Sequence, residues 1–183
     1  MIKNRLFLLV LQHPQEKRQA LSTAAEITAT LANAKVSIGL SWPNLGRALG
    51  GPADPRRWGV LYLGSARPAP DREVVALGRR GEPVDGVPML RGLDGIVLLD
   101  GTWSQAKALW WRNPWLLKLH RLVLNPARPA RYGTIRREPR REALSTIEAA
   151  ALVLRHAEAG DEAADALLAA LDRLIAAAQP SAT

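Results

Sequence analysis

The residue best placed for chemistry is Asp100. It follows Gly95-Ile-Val-Leu-Leu99 directly, the clearest strand-like stretch of the chain. A carboxylate at the end of such a stretch sits at the rim of a low-dielectric layer, and partial loss of hydration there makes it a stronger proton acceptor. The same position precedes a helical stretch, and Asp is a preferred N-cap. Position alone leaves both roles open. Trp103 stands three residues on and offers a stacking face to a purine or another nucleobase. Trp110 and Trp111 lie seven and eight residues further, near-integral helical turns, so core packing on a shared face is expected of those two.

A second candidate is basic. Arg128, Arg131, Arg136, Arg137, Arg140 and Arg141 fall within fourteen residues, with Tyr132 among them and Glu138 as the only acid. Guanidinium forks match phosphate oxygens in pairs, and a Tyr adds a stacking face. A solvated surface loop is the plain alternative, but the clustering beside Gly and Pro favours a phosphate-binding loop. Ser145-Thr146-Ile147-Glu148 has the capping-box pattern, as does Thr23 with Glu26, and a structural role accounts for both without any chemistry. There is no Walker loop, no G-x-G-x-x-G after the first strand and no Ser-centred elbow. Cysteine is absent, which excludes a thiol nucleophile, thiolate zinc and a disulfide framework. Three histidines, at 13, 120 and 156, are too scattered for a metal cage.

The elements that must position these residues can be read from the apolar pattern. Strands are expected at 6–11, 35–40, 58–63, 95–99 and 120–124, with a short one near 73–77. Helices are expected at 23–33, from 103 to about 111, at 146–159 and at 161–178. Stretches 41–57 and 64–94 are rich in Gly and Pro and read as loops. Strands alternating with helices predict an α/β fold with a mainly parallel sheet flanked by helices. Ligands in such sheets bind beyond the carboxyl ends of the strands, where Gln12-His13, Gly64-Ser65-Ala66 and Asp100-Gly101-Thr102 emerge.

The chain has 183 residues, which suits a single domain, with 161–183 as a C-terminal helical extension. Its net charge of +8 is uneven: residues 1–143 carry +12 and the remainder −4. A field of that size favours polyanions, nucleic acid first. No apolar run reaches the ~20 residues of a membrane span. A soluble cytoplasmic protein without membrane partners is the expectation.

The chemistry-bearing segments resemble those of the DTW-domain family. Asp100-Gly101-Thr102-Trp103, with Gln105-Ala106 and Asn113-Pro114, is similar to its D-x-T-W core. Tyr132, Ile135-Arg136 and Pro139, leading to Leu144-Ser-Thr-Ile-Glu-Ala149, are similar to a second block. Gln12 to Glu16 with Ser22-Thr23, and Val60 to Leu63, are similar to two more, so the resemblance spans about residues 6–155. Ser22-Thr23-Ala24 stands where the family tends to show Asn-Thr-Gly, and the cysteine-rich leading segment of many members has no counterpart here. The resemblance implies transfer of the 3-amino-3-carboxypropyl group of S-adenosylmethionine to N3 of a tRNA uridine, with no metal. It implies a SPOUT-like fold with a C-terminal trefoil knot, a feature that general rules of chain connection would not suggest. In that setting Asp100 is the base. Thr102, Trp103, Ser65, Ser145 and Thr146 hold the cofactor, and Arg128, Arg131, Tyr132, Arg136, Arg137 and Arg140 hold the RNA. A SPOUT-type RNA methyltransferase and a non-enzymatic RNA-binding module are the competing readings.

Overall fold

The computed structural model describes residues 1–15, 23–61, 72–125 and 145–178. Seven strands form one sheet in the order β2-β1-β6-β3-β7-β4-β5. They are β1 (Phe7–Gln12), β2 (Ala34–Ile38), β3 (Trp58–Leu61), β4 (Val74–Leu77), β5 (Pro83–Asp85), β6 (Gly95–Asp100) and β7 (His120–Leu124). The pairings among β2, β1, β6, β3 and β7 are parallel, whereas β4 pairs antiparallel with both β7 and β5. The sheet is therefore mixed. A short antiparallel edge is added by β4 and β5, joined through residues 78–82.

Alternation along the central strands divides the core into two layers. Leu6, Leu8 and Val10 with Ile96 and Leu98 face one side. There they meet helices α1 (Ala24–Thr30), α3 (Gly86–Gly92), α5 (Thr146–Ala157) and α6 (Glu162–Ala178). Leu9, Leu11, Val60 and Val97 face the other, against α2 (Leu45–Leu49), α4 (Trp103–Arg112) and the 3-10 turn Pro114–Lys118. Burial on both faces explains why β6 reads as an unbroken apolar run. Gly95 is required at its start: a Cβ there would come within 2.6 Å of the Trp58 ring.

Three expectations are corrected. Stretches 41–57 and 78–94 are not plain loops, because they contain α2, α3, β5 and a 3-10 turn at Pro55–Arg57. The polar residues ahead of the helices supply the starts: Asn44 accepts from the Arg47 amide at 2.9 Å, and Asp85 from Val87 at 3.2 Å. Trp111 is not a core residue. It is 77% exposed, since the buried face of α4 is made by Ala106 and Leu109. Thr23 precedes α1 without a side-chain cap bond, its hydroxyl being engaged elsewhere.

Candidate active site

The parallel pairing of β1 with β6 sets Gln12 opposite Asp100 at the carboxyl ends of the two most buried strands. Gln12 donates its side-chain amide to Asp100 Oδ2 at 3.0 Å. The Thr146 hydroxyl donates to Asp100 Oδ1 in a short hydrogen bond. Asp100 is only 3% exposed, so both carboxylate oxygens accept from partners inside the protein. Its backbone carbonyl accepts from the His13 amide at 3.2 Å, continuing the ladder past the strand end.

The turn after Asp100 is built on Gly101. Its φ of +150 is strained for other residues, and a Cβ would meet that of Gln105 at 2.8 Å. Thr102 then starts α4 with a full capping box. Its hydroxyl accepts from the Gln105 amide at 3.3 Å while Gln105 Oε1 accepts from the Thr102 amide at 2.8 Å. Thr102, and not Asp100, is the cap, which resolves the ambiguity left by position. Gln105 also reaches Gln15 Oε1 at 3.3 Å, tying the segment after β1 to α4. Trp103 is half-buried in the first turn of α4.

The third segment of the site is the start of α5. Ser145 caps it by accepting from the Glu148 amide at 3.3 Å, and donates to Glu148 Oε1 at 3.0 Å. Both side chains are buried. The Ile147 amide donates to Thr23 Oγ1 at 3.3 Å, which is where the Thr23 hydroxyl is spent. Residues 12–15 and Thr23, residues 100–105 and residues 145–148 thus meet at one place. Two helix N-termini, of α4 and α5, converge on it and favour negative charge there.

Of the residues expected to act, Asp100, Thr102, Trp103, Ser145 and Thr146 are brought to this region. Ser65, Arg128, Arg131, Tyr132, Arg136, Arg137 and Arg140 lie outside the described residues. Sequence reading missed Gln12 as a partner of Asp100; its signal was a polar residue closing an apolar strand, but strand adjacency is needed to see whom it meets. Among the described residues, no group of three or more His, Asp or Glu is placed to hold a metal ion, and no helix is long and apolar enough to cross a membrane.

The DTW domain model matches residues 1–179. The chain is 31% identical over 175 residues to a tRNA-uridine aminocarboxypropyltransferase 2 of Drosophila melanogaster, covering 91% of this chain and 62% of that protein. It is 28% identical over 173 residues to the protein of the same name from Macaca fascicularis, covering 91% of this chain and 53% of that one. The figures for the Mus musculus protein of that name are the same. The chain therefore spans only somewhat more than half the length of these curated relatives. No solved structure matches. With a family model matched along almost its whole length, and that family's Asp-x-Thr-Trp segment folded around a buried carboxylate, the chain belongs to the DTW-domain family.

Proposed function

We propose that this protein transfers the 3-amino-3-carboxypropyl group of S-adenosylmethionine to N3 of a uridine in tRNA. The observation that carries the reading is the convergence of three distant segments on one buried carboxylate, Asp100, at the ligand-binding end of the sheet. The names of the relatives support the substrate class.

The donor set fits an amino-acid group. The N-termini of α4 and α5 suit a carboxylate, with the exposed Thr102 hydroxyl beside it, and the Asp100 and Glu148 oxygens suit an ammonium. Thr102, Trp103, Ser145 and Thr146 would hold it. When bound, S-adenosylmethionine supplies an electrophilic γ-carbon on a sulfonium whose leaving group is neutral methylthioadenosine.

The chain's own task is proton removal and alignment. Uridine N3 carries a proton and is a weak nucleophile until that proton goes. Asp100 takes it, a role worth typically ~10²–10⁴-fold. Gln12 and Thr146 fix the carboxylate, one donor on each oxygen, which keeps the acceptor in register with N3. Trp103 walls the pocket. The arginine-rich segment 128–141 supplies phosphate contacts, and the action is cytoplasmic. With this reading goes the SPOUT-like C-terminal knot that the family resemblance implies.

The test is incubation with tRNA and S-adenosylmethionine, followed by nucleoside mass spectrometry. The expected products are aminocarboxypropyluridine and methylthioadenosine. Methylated nucleoside with adenosylhomocysteine would replace this reading by methyl transfer. Asp100→Asn is expected to lower turnover ~10²-fold or more with little change in stability. Asn keeps the shape, and a flip of the Gln12 amide can satisfy its NH₂. Near-wild-type turnover of this variant would remove Asp100 from the role of base.

A further inference from the structure

We propose that the exposed ridge of α4, formed by Ser104, Lys107 and Trp111, is an RNA-docking surface on which Trp111 stacks an unpaired base of the substrate. The inference rests on the tRNA reading above and adds a contact outside the arginine-rich segment.

Trp111 carries it. A large aromatic ring that is 77% exposed leaves apolar area in water that the fold had an opportunity to bury, since the other face of the same helix packs Ala106 and Leu109. Its neighbour Trp110, half-buried, shows that α4 does use an indole for packing where it serves the core. Lys107 lies one turn before Trp111, and Ser104 a further turn towards the site, so the three share one exposed stripe. Arg112 and Lys118, both exposed, flank its end. From Gly101 to Arg137 the sequence contains no Asp or Glu, so no acid of this segment opposes these cations. A polyanion is the partner such charge admits, and an aromatic face set among cations is how unpaired bases are held without regard to their identity.

Position ties the ridge to the chemistry. The capped start of α4 is two residues from Asp100, and at about 1.5 Å per residue Trp111 lies ~12 Å along the helix from Trp103. A strand of RNA presenting one base at Asp100 can therefore lay a neighbouring part of the same loop along α4. The partly buried Trp103 and the exposed Trp111 would bracket that path.

Labelled tRNA titrated with the full chain across a salt series tests this, with Trp111→Ala, Trp111→Phe and Lys107→Ala alongside. Trp111→Ala is expected to weaken binding roughly 5- to 100-fold with an unchanged salt slope, and Trp111→Phe to recover most of the loss. Lys107→Ala is expected to reduce the slope by about one. S-adenosylmethionine affinity should be the same in all of them. Wild-type binding with an unaltered Trp111→Ala affinity overturns the docking surface alone and leaves a protein partner as its occupant. Failure of the wild type to bind tRNA at any salt overturns the tRNA reading itself.

Discussion

Gln12 and Thr146 divide the Asp100 carboxylate between them, one donor to each oxygen, and the two donors differ in what they can give up. Thr146 stands at the first position of α5, so its hydroxyl is held by a helix that Ser145 and Thr23 both fasten. Thr146→Val keeps the shape and removes the proton. An acceptor left unpaired in a buried site costs about 1–3 kcal/mol, and a carboxylate free to turn loses alignment worth roughly ten- to a hundredfold in rate. We expect Thr146→Val to show both losses and Thr146→Ser to restore rate and stability, as read by urea unfolding and single-turnover kinetics. Recovery of stability without rate in the Ser variant would mean that the methyl group also positions substrate. The residue scale is also where sequence reading stops short. Asp100 was visible as a carboxylate closing an apolar run, but its cap role was excluded only by seeing Thr102 take both halves of the box. Gln12 could not be matched to Asp100 without knowing that β1 lies against β6.

At the scale of elements, the turn between α4 and β7 hangs on Asn113, which is fully buried. Its Nδ2 donates to the carbonyls of Leu109 and Leu40 at 2.8 and 3.0 Å. Its Oδ1 accepts from the Trp42 amide at 2.9 Å and Trp115 Nε1 at 3.2 Å. One side chain thus closes α4, anchors the loop after β2 and seats the indole that plugs the second core layer. Asn113→Asp keeps the acceptor but sets a carboxylate oxygen against two carbonyls; a loss of about 3–5 kcal/mol is expected in chemical denaturation, because a buried charge is left without a partner. On the opposite rim, the Arg57 guanidinium forks onto Asp94 at 2.8 Å and holds its carboxyl below the usual range. Since the folded value is the lower one, this stabilisation is present above the ordinary carboxylate range and is lost as pH falls through the lowered value. Wild type and Asp94→Asn should therefore converge in stability at acid pH and differ at neutral pH. The five parallel-paired strands and helices α1, α4, α5 and α6 were legible from apolar runs, helical periodicity or a capping-box start. The short α2, α3 and β5 were not, since Gly50, Pro88 and Pro83 look like breakers while sitting where a cap, a first turn or an edge strand tolerates them.

Over the whole molecule, charge is sorted along the chain: +12 in residues 1–143 against −4 beyond them. Affinity for tRNA should therefore fall steeply with salt, and Arg136→Ala with Arg137→Ala should lower the slope by about two. An unchanged slope would make that segment a solvated surface. The core joins the chain's distant parts as well. Glu158, just past α5, accepts from the Arg5 and Leu6 amides at 3.0 and 2.8 Å, and β1 lies between β2 and β6. The consequence concerns time. A nascent chain emerging at ~5–20 residues per second presents β1 well before β6 and the start of α5, which follow only after roughly 80 and 130 further residues. For several seconds this apolar strand has β2 beside it but not β6, a window in which a chaperone or an unwanted partner competes for the open edge. Closing so long a loop is slow, so the amides around Asp100 should be among the last to acquire hydrogen-exchange protection during refolding.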